Sequence, residues 1–276
     1  MLFTAIAGML LATPAMPPWR VLLFGTLGIA LVAGAAAALN HLVDRRADAL
    51  MARTRARPLP RGALRPAEVG VFAALCGAAG MLLLIVFTNA LCTALTAASL
   101  VGYALVYSIV LKPRTPQNIV IGGAAGATPP MLGWVAVSGQ VEAGAVLLFL
   151  IILIWTPPHF WALAIHRRDD YARAGVPMLP VTHGVAHTAR RIVVYTALLW
   201  AVSLLPAAFG VAGAPYLAGA ALLGARFFVL AWRLQRDVRR AMPTFRYSIV
   251  YLGALFALLL VDHGVRVASA AGPLLR

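Results

Sequence analysis

Acidic residues are scarce: 8 Asp and Glu stand against 23 Lys and Arg in a chain of 276 residues. Charged residues make up only 11% of the chain, whereas 62% is hydrophobic. Soluble domains carry about a quarter charged residues, so the deficit excludes an ordinary water-exposed surface and predicts a chain that lives in lipid. Only two cysteines occur, Cys76 and Cys92, both in apolar stretches without CxxC or Cys/His spacing. That excludes a disulfide framework and a thiolate metal site, and leaves both as small packing residues. The opening residues lack the basic n-region and small-residue cleavage site of a signal peptide. Leu2 to Ala12 is apolar from the outset but too short to span the hydrocarbon core, so a shortened first helix is expected, with residues lost ahead of it.

Long apolar runs are plentiful. Stretches of about 20 such residues recur along the chain, as membrane-crossing helices require. Nine spans are expected, near 1–12, 21–39, 69–87, 90–111, 118–137, 145–165, 192–209, 216–232 and 247–265. The fold class is all-α, a single polytopic membrane domain over residues 1–276 with its helices around a central cavity. Nineteen of the 23 basic residues fall in the connections 41–66, 112–117, 166–191 and 233–246. The positive-inside rule places these loops and the N-terminus in the cytoplasm and the C-terminus outside, in a bacterial-type inner membrane. The net charge of +15 is thereby accounted for, and no nucleic-acid partner is expected.

Against this background the few acids stand out. Asn40, Asp44 and Asp48 recur every four residues where the second span leaves the membrane. Successive members are offset by about 40° around a helix, so all three share one face. Two like charges at that spacing repel, and a divalent cation carrying a phosphate group is the best candidate to sit between them. The plainer alternative is salt bridging to Arg45 or Arg53.

A second loop, from His166 to Pro180, repeats the pattern of the first: His, Asp, Arg, then a Met-Leu-Pro ending where the first has Pro-Leu-Pro. Asp170, with Asp169 beside it, is the candidate acid there. Mg2+ is usually held by one or two carboxylates plus substrate phosphate oxygens, so the two loops together could bridge a diphosphate through Asp44, Asp48 and Asp170. Arg45, Arg53, Arg57, Lys112, Arg114, Arg167 and Arg168 are candidates for its oxygens, because guanidinium groups recognise phosphate bidentately. For any one of them the alternative is an orientation signal or a lipid-headgroup contact. Gly122, Gly123 and Gly126 are read as helix-packing residues.

Three segments carry a family resemblance: NHLVDRRADALMARTRARPLP (40–60), YSIVLKPRTPQNIVIGGAAGATPPMLGW (107–134) and PHFWALAIHRRDDYARAGVPMLPV (158–181). Together they resemble the heme branch of the UbiA-type intramembrane prenyltransferases, the protoheme IX farnesyltransferases or heme O synthases. The resemblance implies nine helices, two aspartate-bearing loops and Mg2+-dependent transfer of farnesyl from farnesyl diphosphate to a vinyl group of heme b, yielding heme O. It implies Asn40, Asp44 and Asp48 as the first catalytic motif and Asp170 as the key acid of the second. His159 is then the first choice for a heme contact, since an intramembrane ionisable residue is a functional candidate; a packing histidine is the alternative. Downstream heme-modifying or oxidase assembly proteins would be partners. The chain departs from the wider family in having His166 where many relatives carry Asp, and in lacking a basic segment before the first helix.

Three other readings compete. A UbiA-type enzyme for an aromatic or chlorophyll-like acceptor would share the acids but not the heme-branch segments. A non-catalytic oxidase assembly factor would tolerate loss of Asp44. A transporter would place its acids near the bilayer midplane, whereas four of the eight here sit at one membrane edge.

Overall fold

Hydropathy marks where a helix lies in lipid, but backbone hydrogen bonding can carry the helix on into water. The structure is a computed structural model, describing residues 1–52 and 54–271, with side chains to Ser269. The described residues are helical and contain no strand. In order they form α1 (Leu2–Leu11), a π turn (Val21–Gly25) leading into α2 (Thr26–Leu50), α3 (Pro66–Phe87) and α4 (Ala90–Val101). A π-helical segment (Gly102–Leu111) continues α4 into α5 (Lys112–Arg114), followed by α6 (Asn118–Ser138) and α7 (Ala143–His166). Two short helices, α8 (Arg168–Arg173) and α9 (Leu179–Thr182), precede α10 (Val185–Ala208), α11 (Ala214–Arg236) and α12 (Ala241–Ala271).

Eight helical runs among the described residues are long and apolar enough to cross a membrane; α1, with 10 residues, is the shorter ninth apolar segment. Several run past their apolar stretch. The second reaches Leu50 rather than ending at Leu39, which carries the acidic trio on a rigid helical end. From Val71 onward the exposed side chains of α3, among them Leu75, Leu82 and Ile85, are apolar, as a lipid-facing surface requires.

The bundle is built around α6 and α7. In each, 56% of the most apolar stretch is buried, against 17% for the run Ala90–Arg114, so these two are central and the latter peripheral. α1 lies directly on α6, backbone against backbone. A Cβ at Gly133 would stand 2.0 Å from the Ala5 carbonyl oxygen, and one at Gly8 equally close to that of Pro130. Such contact needs small residues, and in a membrane it replaces the hydrophobic drive that lipid removes. Asn89 makes the tight turn between α3 and α4: its Oδ1 accepts from the Cys92 N–H at 2.9 Å, and its amide donates to the Val135 carbonyl at 2.7 Å. Cys76 and Cys92 are free thiols.

Asp262 is explained by the turn between α10 and α11. Buried to 3% exposure, it accepts from the Gly213 N–H at 2.7 Å and pairs with Arg266 at 3.2 Å. Arg266 in turn donates to the carbonyls of Gly210 and Val211, so α12 clamps the turn through donors and acceptors that would otherwise be unpaired. Asp262→Ala is expected to cost about 1–3 kcal/mol, the range for stranding a buried partner. Thermal unfolding in detergent measures this, and an unchanged midpoint would mean the clamp is idle.

Candidate active site

Buried carboxylates stay charged only when paired, and both acids at the end of α2 are paired. Asp44 and Asp48 are 8% and 5% exposed. Lys112, the first residue of α5, donates to Asp44 Oδ2. Arg57 donates from Nη1 to Asp48 Oδ2 at 2.7 Å. The buried Thr54 hydroxyl donates to the Asp48 carbonyl at 3.0 Å and holds the start of the following loop against the helix. One turn deeper, Asn40 Oδ1 accepts from the Ser108 hydroxyl at 2.9 Å. The Ser108 oxygen also lies 2.8 Å from the Tyr103 carbonyl, five residues back as in a π helix, so its one proton is shared between that carbonyl and Asn40. π-helical turns often mark functional sites, and this one brings Ser108 to the acidic trio.

The second acidic loop is organised by α8, immediately after α7. Asp170 is buried and Asp169 exposed. Arg173 donates to Asp170 Oδ1, and Arg167 lies 3.6 Å from Oδ2. Arg173 escaped the sequence reading; its position three residues after Asp170, one helical turn away, was the available signal. The buried Arg167 Nε has no hydrogen-bond partner among the described residues.

Not every expected cation joins the site. Arg45, Arg114 and Arg168 are exposed and form no ion pair among the described residues, and Arg53 lies outside them. Asn118 is fully buried at the start of α6. Its amide donates to the Thr115 carbonyl at 2.8 Å and closes the basic turn, while its Oδ1 has no partner among the described residues.

Among the described residues no three His, Cys, Asp or Glu side chains form a cluster that could hold a metal alone. The acids form two groups, Asp44 with Asp48 and Asp170 separately, each matched to a cation. This donor chemistry fits Mg2+, which keeps water or substrate oxygens and takes one or two carboxylates from a protein rather than a closed cage. It also fits the diphosphate, whose oxygens Lys112, Arg57, Arg167 and Arg173 are equipped to receive.

Beside this site, within the bundle, lies a cavity of about 340 Å3 walled by α2, α4 with its π-helical continuation, α6 and α7. Ala37 and Tyr107 line it next to Asn40 and Ser108, and His159 lines it from α7. Gly122, Gly123 and Gly126, three of the four glycines of α6, divide by role. A Cβ at Gly122 would strike the Tyr107 ring, and one at Gly123 would press on Thr156, whereas at Gly126 it would meet nothing within 4 Å. The first two are packing residues, and the third keeps the cavity open. Tyr103 and Tyr107, stacked with centroids 5.3 Å apart, are a cavity wall that the apolar run concealed.

The model of the UbiA prenyltransferase family matches residues 1–260. The chain belongs to that family. The resemblance carried by the three sequence segments is thereby borne out. The protoheme IX farnesyltransferase of Thiobacillus denitrificans is 60% identical over 263 residues, covering 95% of this chain and 88% of the relative. Among solved structures, the apo form of a UbiA homolog from Aeropyrum pernix K1 shares the fold with a TM-score of 0.76 at 20% identity, covering 95% of this chain and 97% of that one. A UbiA homolog from Archaeoglobus fulgidus bound to DMAPP and Mg2+ gives 0.65 at 14% identity, covering 94% of both chains. With this fold and its apolar helices, the chain is an integral membrane protein of the UbiA family.

Proposed function

We propose that this chain transfers a farnesyl group from farnesyl diphosphate to a vinyl group of heme b, with addition of water, giving heme O and diphosphate. The observation that carries the reading is the set of buried carboxylate–cation pairs on α2 beside an apolar cavity, in a chain 60% identical to a protoheme IX farnesyltransferase. An aromatic or chlorophyll-like acceptor is not favoured by that kinship.

Asp44, Asp48 and Asp170 would hold Mg2+, which when bound neutralises charge on the diphosphate. Lys112, Arg57, Arg167 and Arg173 bind its remaining oxygens and stabilise the charge that grows as the allylic C–O bond breaks. The bonding electrons leave with diphosphate. The vinyl π electrons then form the new C–C bond to the farnesyl cation, and the positive charge moves to the carbon beside the porphyrin ring. Water adds there and loses a proton, which leaves a hydroxyl group. The apolar cavity walls hold chain and acceptor together and keep water from the first cation. Asn40 and Ser108 fix the inner end of the acidic face. His159 contacts the heme. The reaction occurs at the cytoplasmic face of a bacterial inner membrane, with the C-terminus periplasmic, and its product passes to heme-modifying or oxidase assembly proteins.

The test is the purified protein in detergent with heme b, farnesyl diphosphate and Mg2+, the hemes being analysed by mass. Heme O is expected with Mg2+, none after chelation, and none when an aromatic acid replaces heme b. A prenylated aromatic acid with no heme O would favour the second reading.

A further inference from the structure

His159 is held on three sides. Trp155 stacks on its ring at 4.1 Å between centroids and 20° between planes, and Phe245 of α12 stacks at 4.6 Å and 29°. Its Nδ1 lies 2.7 Å from the hydroxyl of Ser248, also on α12. The Trp155 indole donates to the Ser248 carbonyl at 2.8 Å and locks the two helices in register. Ser248 is itself fully buried.

The contacts of Ser248 favour one tautomer. A serine hydroxyl has one proton, and that of Ser248 goes to the Phe245 carbonyl at 2.6 Å. The Ser248 oxygen can then only accept from His159, so Nδ1 carries the ring proton and Nε2 keeps its lone pair. Nε2 makes no hydrogen bond among the described residues. Ser248 and Phe245 do not line the cavity, whereas His159, Trp155 and Phe160 do, so the ring's free edge faces the cavity.

We propose that Ser248 is a positioning residue that presents His159 Nε2 as the axial ligand to the iron of the heme substrate. This rests on the functional reading above and deepens it. A metal-ligating histidine usually donates its second N–H to a fixed acceptor, and removing that acceptor weakens the metal bond about 10- to 100-fold. Ligation would pin the macrocycle at one point, so that its vinyl edge is set by rotation about a fixed axis.

The test is spectroscopic and uses the full-length protein in detergent, titrated with ferric and ferrous heme b without prenyl donor. Wild type should show a histidine-ligated Soret and visible spectrum. His159→Ala should lose it and regain it with added imidazole. Ser248→Ala should keep the ring but bind heme at least about tenfold more weakly, with Ser248→Thr, which restores the hydroxyl, recovering most of the loss. Heme bound with the same spectrum in wild type and His159→Ala would overturn the assignment while leaving the prenyl-transfer reading standing. Wild-type affinity in Ser248→Ala would overturn the positioning role, and does so even if His159→Ala does not fold. A wild-type protein that binds no heme b would sink the functional reading and the ligand together.

Discussion

Asp44→Asn is expected to lower heme O formation by at least about a hundredfold while the protein stays folded and inserted. The change is nearly isosteric but removes the charge that Lys112 neutralises and that a phosphate-bridging cation needs. A hundredfold loss corresponds to about 2.7 kcal/mol of transition-state stabilisation, within reach of one charged group at a desolvated site. The control is Asp169→Asn. Asp169 lies beside the second acid but is exposed and should be silent. Turnover measured by heme mass analysis, with size-exclusion profiles to confirm folding, separates the two. Equal activity of wild type and Asp44→Asn would remove Asp44 from the chemistry.

The second large effect divides two glycines seven residues apart on α6. Gly133→Val places a Cβ 2.0 Å from the Ala5 carbonyl oxygen, a backbone atom that cannot step aside, so α1 must lift from α6. Loss of monodisperse protein in detergent is expected. A Cβ at Gly126 meets nothing within 4 Å and the rest of a leucine would extend into the cavity, so Gly126→Leu should fold with a nearly unchanged melting temperature yet lose more than about tenfold in turnover. Were Gly126→Leu as active as wild type, the cavity would not hold substrate.

The sequence carried much of this because lipid imposes strong rules. Apolar length, the bias of basic residues to alternate loops and the Asn40/Asp44/Asp48 spacing each have few physical explanations, and they gave the helical class and the acidic face. What stayed hidden depends on contacts between distant segments. Lys112 was on view as a candidate cation, but nothing local shows that it pairs with Asp44, 68 residues away. Ser108 reads as one more small residue of a membrane helix until π winding turns it towards Asn40. Ser248 has no signature at all, since its role exists only where α12 meets His159. Helix ends were also misjudged, because hydropathy reports lipid contact and Leu50 and Ala241 lie beyond it. Asp262 has no partner legible in the sequence, because the groups it pairs with include the backbone of the α10–α11 turn, 49 residues away.

The most direct measurement is heme extraction and mass analysis of membranes from a host lacking its own heme O synthesis, expressing either the wild-type chain or Asp44→Asn. Heme O in the wild-type membranes alone is the predicted result. Unaltered heme b in both, with the wild-type protein shown to be folded and inserted, would contradict farnesyl transfer to heme as the reaction of this chain.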